Sequence, residues 1–392
     1  MIKKIVIEKL YLLLSIFTFG GYTVMSMLTI EKDSIYAAED PILLKLFLGL
    51  LVLLTSGYIF TNINLINGNN KIKRLLLIIT IYLAISKLMV VPITASVLAY
   101  IYQPLQIFIF VILFLWGQVI ASKPKVIFEF FTTGMIVAML ITAFYYYKNW
   151  EFANEVDEAH LGTSYYGIFI LLPILFSSNR LVKYTSTAIA GAIIISSFKR
   201  GGLVALVLGL ITYLFVKEVL LEKKISKLIW FIVLIIVLFI VLIYIDHAMG
   251  NIISNRLMNI AEDGGSGRDR VWAVTWDMIC HSSPEELLLG HGYSTVVIDS
   301  PLRLSAHNDF MEVLYNWGIV IFIPYTFLHI NLIKQVINLI KTKNSIAPIM
   351  AFSYVVFLIL SLVSIVILYP LMALISLTWG LGSRNSQNIE RL

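Results

Sequence analysis

MIKKIVIEKLYLLLSIFTFGG, residues 1–21, sets a basic start ahead of a long apolar run. Secretory signal peptides open the same way, but their apolar run is short and ends at a small-residue cleavage site. Here the run extends to about Ile30 without such a site, so the stretch reads as a retained first membrane span.

The rest of the chain agrees. Its 392 residues are 59% hydrophobic and 13% charged, with a mean hydropathy of +0.90. A water-soluble globule cannot bury that much apolar surface, which points to a polytopic membrane protein. A bilayer core needs roughly twenty apolar residues per helix. On that ruler the spans fall near 8–30, 42–60, 74–92, 99–120, 126–147, 163–178, 184–198, 201–220, 228–246, 309–332, 346–363 and 365–381. The expected fold class is all-α, a polytopic integral membrane protein of about 12 transmembrane helices with one large helical outer loop. The division is 1–246 (a bundle of about nine spans), 247–308 (the loop) and 309–392 (about three further spans). Neither an internal repeat nor a low-complexity tract is visible. The single Cys280 leaves no intramolecular disulfide and no thiolate-rich metal site.

With the N-terminus inside, most of the 29 Lys and Arg fall in short cytoplasmic connections, among them Lys71, Lys73, Arg74, Lys123, Lys125, Lys223 and Lys224. Both termini are then cytoplasmic. The net charge of +6 reflects topology, and no nucleic-acid partner is expected.

Against that trend, the turn in SSFKRGG puts Lys199 and Arg200 outside. A charge near hydrocarbon is costly and usually meets a partner or a cavity. The two side chains either snorkel to headgroups or bind an anion. Lys87, in the third span, raises the same question, and a buried lysine–carboxylate pair would answer it.

In the long loop, GGSGRDRVWAVTWDMI is a glycine run followed by a helix start, with Ser266 as the expected cap and Asp269 three residues on. Arg268 and Arg270 then sit in the first turn, where the macrodipole disfavours cations. An anion beside them would reverse that penalty, because guanidinium forks and helix N–H groups both bind phosphate oxygens. The plain alternative is an exposed arginine pair with Trp272 and Trp276 anchored at the membrane interface. SSPEELLLG predicts a second helix: Ser283 caps, Pro284 opens, Glu286 stands third and Gly290 stops it. The Gly290-His291-Gly292 turn that follows reads as structural.

RLSAHNDFMEVLYNWGIV, residues 303–320, leads into the tenth span with Arg303, His307, Asn308, Asp309 and Glu312. A histidine near a carboxylate can serve as general base toward a hydroxyl. A lone histidine at a membrane boundary is more often a plain interfacial polar group. The acidic segment KNWEFANEVDEAHLG, 148–162, either lines a sugar site or is solvated.

The ordered set SSFKRGG, GSGRDRVW, PEELLLGHG and AHNDFMEVLYNWGIV resembles the O-antigen ligase and polymerase superfamily. Its members are polytopic enzymes that transfer glycans from undecaprenyl diphosphate on the periplasmic face. The resemblance covers the topology of the whole chain and, in detail, residues 195–205 and 264–320; its most specific part is His307-Asn308 ahead of Glu312 and Gly318-Ile319. It implies that Arg200 and Arg268 contact the donor diphosphate and that His307 lies at the reaction centre, the three together forming the catalytic set. The family's outer-turn arginine commonly follows a serine, where this chain has Lys199. Lys199, Arg270, Arg303, Asn308, Asp309 and Glu312 are the secondary, substrate-binding candidates.

What the resemblance implies further is an inverting transfer in which arginines take the place of Mg²⁺, since no DxD-like pair stands in the outer loops. Neither cofactor nor metal is expected. The partners are an undecaprenyl-diphosphate-linked oligosaccharide, membrane lipids and a chain-length regulator protein; the location is the bacterial inner membrane. Size, an Ile-, Lys- and Asn-rich composition and divergence favour a polymerase over a ligase, by analogy alone; a capsule or exopolysaccharide repeat-unit polymerase is nearly indistinguishable. A lipid-linked oligosaccharide flippase, the reading from another class, would be expected to carry repeat symmetry and midplane charges.

Overall fold

In the computed structural model, residues 2–30, 42–66, 70–90, 97–148, 165–197, 200–226, 229–230, 232–233, 267–367 and 370–388 are described. Among them every regular element is helical. In chain order the helices are α1 (Ile2–Ile30), α2 (Ile42–Phe60), α3 (Lys71–Met89), α4 (Val97–Ala121), α5 (Lys125–Lys148), α6 (Tyr165–Ile174), α7 (Arg180–Ser196) and α8 (Arg200–Leu214). They continue with α9 (Arg268–Cys280), α10 (Pro284–Leu289), α11 (Thr295–Asp299), α12 (Asp309–Lys341), α13 (Ala347–Val363) and α14 (Pro370–Asn388). A π-helical turn, Phe215–Leu221, carries α8 onward.

Six described helices are long and apolar enough to cross a membrane: Ile5–Met27, Ile42–Phe60, Tyr100–Ala121, Lys125–Lys148, Gly201–Leu221 and Asp309–Lys341. Shorter apolar helices stand at Tyr165–Ile174, Ala347–Val363 and Leu371–Ser383. The chain is a membrane protein built of helices. Eleven of the twelve expected spans coincide with helices, though not all reach spanning length, and most of the span expected at 228–246 lies outside the described residues. Lys199, most of the acidic segment 148–162 and the Gly-rich run before 267 also lie outside them.

Close packing replaces solvent exclusion as the cohesive force between helices in lipid, and small residues permit it. Helices α4 and α14 show this at Gly117 and Gly380. A Cβ on Gly117 would stand 2.5 Å from the Leu377 carbonyl oxygen, and one on Gly380 only 2.1 Å from that of Phe114. Gln118 donates to Ser383 across the same seam at 2.9 Å.

Helix α12 departs from the expected single span at 309–332. On one straight helix Phe310 and His329 would stand about 28 Å apart, yet their rings are 5.1 Å apart. Gly318 is the cause, with φ 63° and ψ −171°, a conformation essentially restricted to glycine. The chain reverses there, so that a short arm, 309–317, folds back against the longer helix that follows, 319–341. The Tyr325 hydroxyl donates to the Asp309 carboxylate at 2.9 Å and bridges the two arms.

The reversal frees carbonyls that a continuous helix would use, and the loop takes them. His291 N–H donates to the Tyr315 carbonyl at 3.1 Å and Gly292 N–H to that of Asn316 at 2.8 Å. Left buried and unmet, each such carbonyl would cost about 1–3 kcal/mol. Gly290 and Gly318 permit the approach: a Cβ on Gly318 would lie 2.4 Å from the Leu288 carbonyl oxygen, and one on Gly290 2.4 Å from the Asn316 carbonyl oxygen. Tyr82 of α3 donates to the Leu289 carbonyl at 2.6 Å, which fixes α10 to the bundle.

Candidate functional site

The α9 helix begins at Arg268, and its cap position is Gly267 at φ 72° rather than the expected Ser266. A left-handed residue at that point turns the chain into the helix without a side-chain cap. The Asp269 carboxylate accepts the Arg270 N–H at 2.7 Å, and Arg270 is exposed. Arg268 and Trp272, four residues apart, share one helix face. The Trp272 indole N–H donates 2.9 Å to the Ala306 carbonyl.

That bond brings the arginine helix to the histidine. Ala306 is fully buried and held from both sides, because its N–H also donates to Glu312 Oε1 at 2.7 Å. His307 follows at φ 49°, a left-handed conformation that few non-glycine residues adopt. Asn308 then caps α12, accepting the N–H groups of Phe310 at 3.0 Å and Met311 at 3.2 Å. Its amide nitrogen donates to the Leu362 carbonyl of α13 at 3.3 Å.

The end of α13 leads to the second arginine. Arg200 is the first residue of α8. A Cβ on its neighbour Gly201 would stand 2.9 Å from the Val363 side chain and 3.3 Å from the Tyr165 hydroxyl. Tyr165, at the start of α6, is buried; its hydroxyl bonds Ser364 and lies within electrostatic reach of the Arg268 guanidinium. The links run in sequence: the backbone at Gly201 lies beside Tyr165 and Val363, Tyr165 lies within electrostatic reach of Arg268, Trp272 bonds Ala306 ahead of His307, and Asn308 bonds Leu362 next to Val363. These links join Arg268, His307 and the backbone at Arg200.

The secondary candidates divide. Asp309 is fully buried; besides Tyr325 it accepts the N–H groups of Val366 at 2.8 Å and Ile367 at 3.2 Å, so it shapes the connection between α13 and α14. Glu312, also fully buried, accepts from Asn316 Nδ2 at 2.9 Å. Asn316 Oδ1 in turn accepts from the Thr295 hydroxyl at 2.9 Å and from Val296 N–H at 3.0 Å. These two carboxylates serve backbone and amide donors. Arg303 is exposed and donates to the Ile298 carbonyl.

Helix α10 forms as expected, with Ser283 and Glu286 in a reciprocal capping box, Pro284 at its start and Gly290 at its end. The Ser283 backbone N–H, together with its hydroxyl, holds the exposed Glu286 carboxyl below the usual carboxylate range. His291 stacks on Tyr315 at 4.0 Å between ring centres and its Nε2 bonds the Ser282 hydroxyl at 2.9 Å. Lys87, for which a lysine–carboxylate pair is one reading, meets the Gln106 amide oxygen and lies over the Tyr293 ring at 5.0 Å. The Trp317 indole donates to Ser86 at 3.2 Å beside it.

Sequence reasoning passed over Tyr165 and Ser364, which join the two arginine-bearing elements. A tyrosine at the head of an apolar run gives no signal of its own. Trp272, an interfacial anchor on one of the two readings, bonds the Ala306 carbonyl.

No curated protein matches the chain. Residues 185–326 match the family described as O-antigen ligase. That stretch is under half of the chain and includes Arg200, Arg268, His307, Glu312 and Gly318, while Tyr165 and Ser364 lie outside it. The resemblance read from the arginine, histidine and glutamate motifs thus has its counterpart in a family match over the segment that holds them.

Proposed function

We propose that the chain is an O-antigen polymerase of the bacterial inner membrane. It transfers a growing glycan from undecaprenyl diphosphate to a second lipid-linked repeat unit on the periplasmic side. The observation that carries this reading is that the Trp272 bond to Ala306 brings the Arg268 helix to His307, while Asn308 bonds Leu362 of α13, beside the Val363 that faces Gly201. The Arg268 guanidinium, a histidine and an arginine at the first position of α8 suit a diphosphate leaving group and an acceptor hydroxyl.

The chemistry is a single displacement. The acceptor oxygen attacks the anomeric carbon, the bond from that carbon to the phosphate oxygen breaks, and undecaprenyl diphosphate leaves with the bonding pair. Arg200 and Arg268 offset the charge that develops on the leaving phosphate. His307 takes the proton of the acceptor hydroxyl, and the configuration inverts. The left-handed backbone at His307 fits a residue held for a task, since such strain persists only where surrounding bonds over-determine it.

A deletion strain complemented with variants tests the reading on a gel of surface polysaccharide. A polymerase loss leaves single-repeat, semi-rough material, and His307→Ala, Arg200→Ala and Arg268→Ala should each reproduce it at normal expression. Long polymer left on its lipid carrier would make the protein a ligase, and complete absence of surface repeats a flippase. Wild-type chain length in all three variants would discard the site.

A further inference from the structure

The general base in this reading sits on a loop, and loops are poor places to hold a base to a few tenths of an ångström. Here the loop residue ahead of it is clamped. Ala306 is fully buried, its N–H bound by Glu312 and its carbonyl by Trp272. Glu312 belongs to the folded-back arm of α12, whereas Trp272 lies on the face of α9 that also carries Arg268, one turn earlier. Of the two clamps, only Trp272 fixes His307 relative to an arginine.

We propose that Trp272 is the positioning residue of the reaction. Its indole N–H, holding the Ala306 carbonyl, keeps the His307 imidazole in register with the Arg268 guanidinium, so that leaving-group binding and proton removal share one rigid frame. The inference rests on the assignment of Arg268 and His307 made above. It gives a reason for the Arg-x-x-x-Trp spacing: positions four apart on a helix point the same way, one toward the phosphate and one toward the base. Trp276, one turn further, is 55% exposed and makes no comparable claim.

A small misplacement of a catalytic group costs rate without costing affinity for the part of the substrate held elsewhere. Trp272→Phe keeps an aromatic ring in the same place and deletes the donor. Purified full-length protein in lipid nanodiscs, supplied with an undecaprenyl-diphosphate-linked repeat unit, provides the assay. The expected result is a kcat lowered about tenfold or more, the scale of one misplaced hydrogen-bonded group. Donor Kd and binding stoichiometry should stay within about twofold of wild type, because Arg200 and Arg268 remain. The solvent deuterium isotope effect on kcat should rise, since proton removal becomes more rate-limiting.

Should Trp272→Phe fold poorly, benzothienylalanine at position 272 keeps the shape and lacks only the N–H; the same three readouts apply. A fall in stoichiometry parallel to kcat, with no change in isotope effect, would make Trp272 a packing residue and overturn the proposal. An unchanged kcat would overturn it equally. If instead Arg268→Ala and His307→Ala themselves retain wild-type turnover, the site assignment fails first, and the two failures are thereby told apart.

Discussion

Two polar clusters near opposite ends of the bundle handle buried carboxylates in opposite ways. At one, Glu8 meets Lys123 at 2.5 Å with their side chains 17% and 12% exposed. The Tyr58 hydroxyl donates to the same Glu8 oxygen at 2.6 Å, and Lys123 lies 4.9 Å from the centre of the Tyr58 ring. At the other, Asp309 and Glu312 are fully buried and hold main-chain N–H groups, a hydroxyl and an amide. The first cluster joins regular helices α1 and α2 to the residues just past α4, and each helix already satisfies its own backbone. The second holds stretches that are not helical, 303–308 and 364–367, whose donors have no ladder to enter. Lipid forbids unsatisfied backbone. A carboxylate facing two or three N–H groups is therefore what permits irregular chain, and with it a site, at this end of the bundle.

The reversal that creates the irregular end is therefore a fragile point of the molecule. Gly318→Val forces a β-branched residue to φ 63° and drives its Cβ to 2.4 Å from the Leu288 carbonyl oxygen and 2.6 Å from Gly290 N. Neither contact is the far end of a flexible side chain. The cost should exceed about 4 kcal/mol, at the extreme of single substitutions, and size-exclusion of detergent-extracted protein should recover little monodisperse material. Recovery at wild-type yield would mean that 309–317 continues straight into 319–341 and that the fold-back is not the native arrangement.

The helices themselves were legible, and the reversal was not, for a physical reason. Runs such as 42–60 announce themselves by length and apolarity, and the observed α2 has those same bounds. The Ser283, Pro284, Glu286 and Gly290 pattern specifies a short helix locally, and that helix formed. Trp317-Gly318-Ile319-Val320 reads as ordinary membrane helix because glycine is common there; its backbone conformation is set by α10, nearly thirty residues earlier. Asp309 and Glu312 looked like groups for a substrate because sequence shows a carboxylate but not its donors, and the N–H groups that claim Asp309 lie at Val366 and Ile367. Arg268 and His307 stand out by motif. Tyr165, which ties Arg268 to α8, belongs to none.

A second test compares two replacements of Asp309. Asp309→Ala strands the Val366 and Ile367 N–H groups and the Tyr325 hydroxyl at once, a loss of about 3–5 kcal/mol. Asp309→Asn keeps a carbonyl oxygen for the two N–H groups, and the Tyr325 hydroxyl can turn to accept from the new amide, so about 1 kcal/mol is expected. Thermal unfolding in one detergent should rank wild type, Asn and Ala in that order. Equal losses for the two variants would show that the charge, and not the acceptor geometry, is what Asp309 provides, and would erase the distinction between the clusters.

The smallest effect is expected at the paired end, and it discriminates most finely. Lys123→Met removes the cation beside Glu8 while the Tyr58 hydroxyl stays, at a cost of about 1–2 kcal/mol for a pair that is not fully enclosed. The double change Glu8→Gln with Lys123→Met removes both charges together and should fall within about 1 kcal/mol of wild type, milder than the single change. No such rescue is available to Asp309 or Glu312, because the main-chain N–H groups among their partners cannot be mutated away. A double variant worse than Lys123→Met would mean that Glu8, too, is holding backbone or amide donors. The two ends would then differ only in having or lacking a lysine.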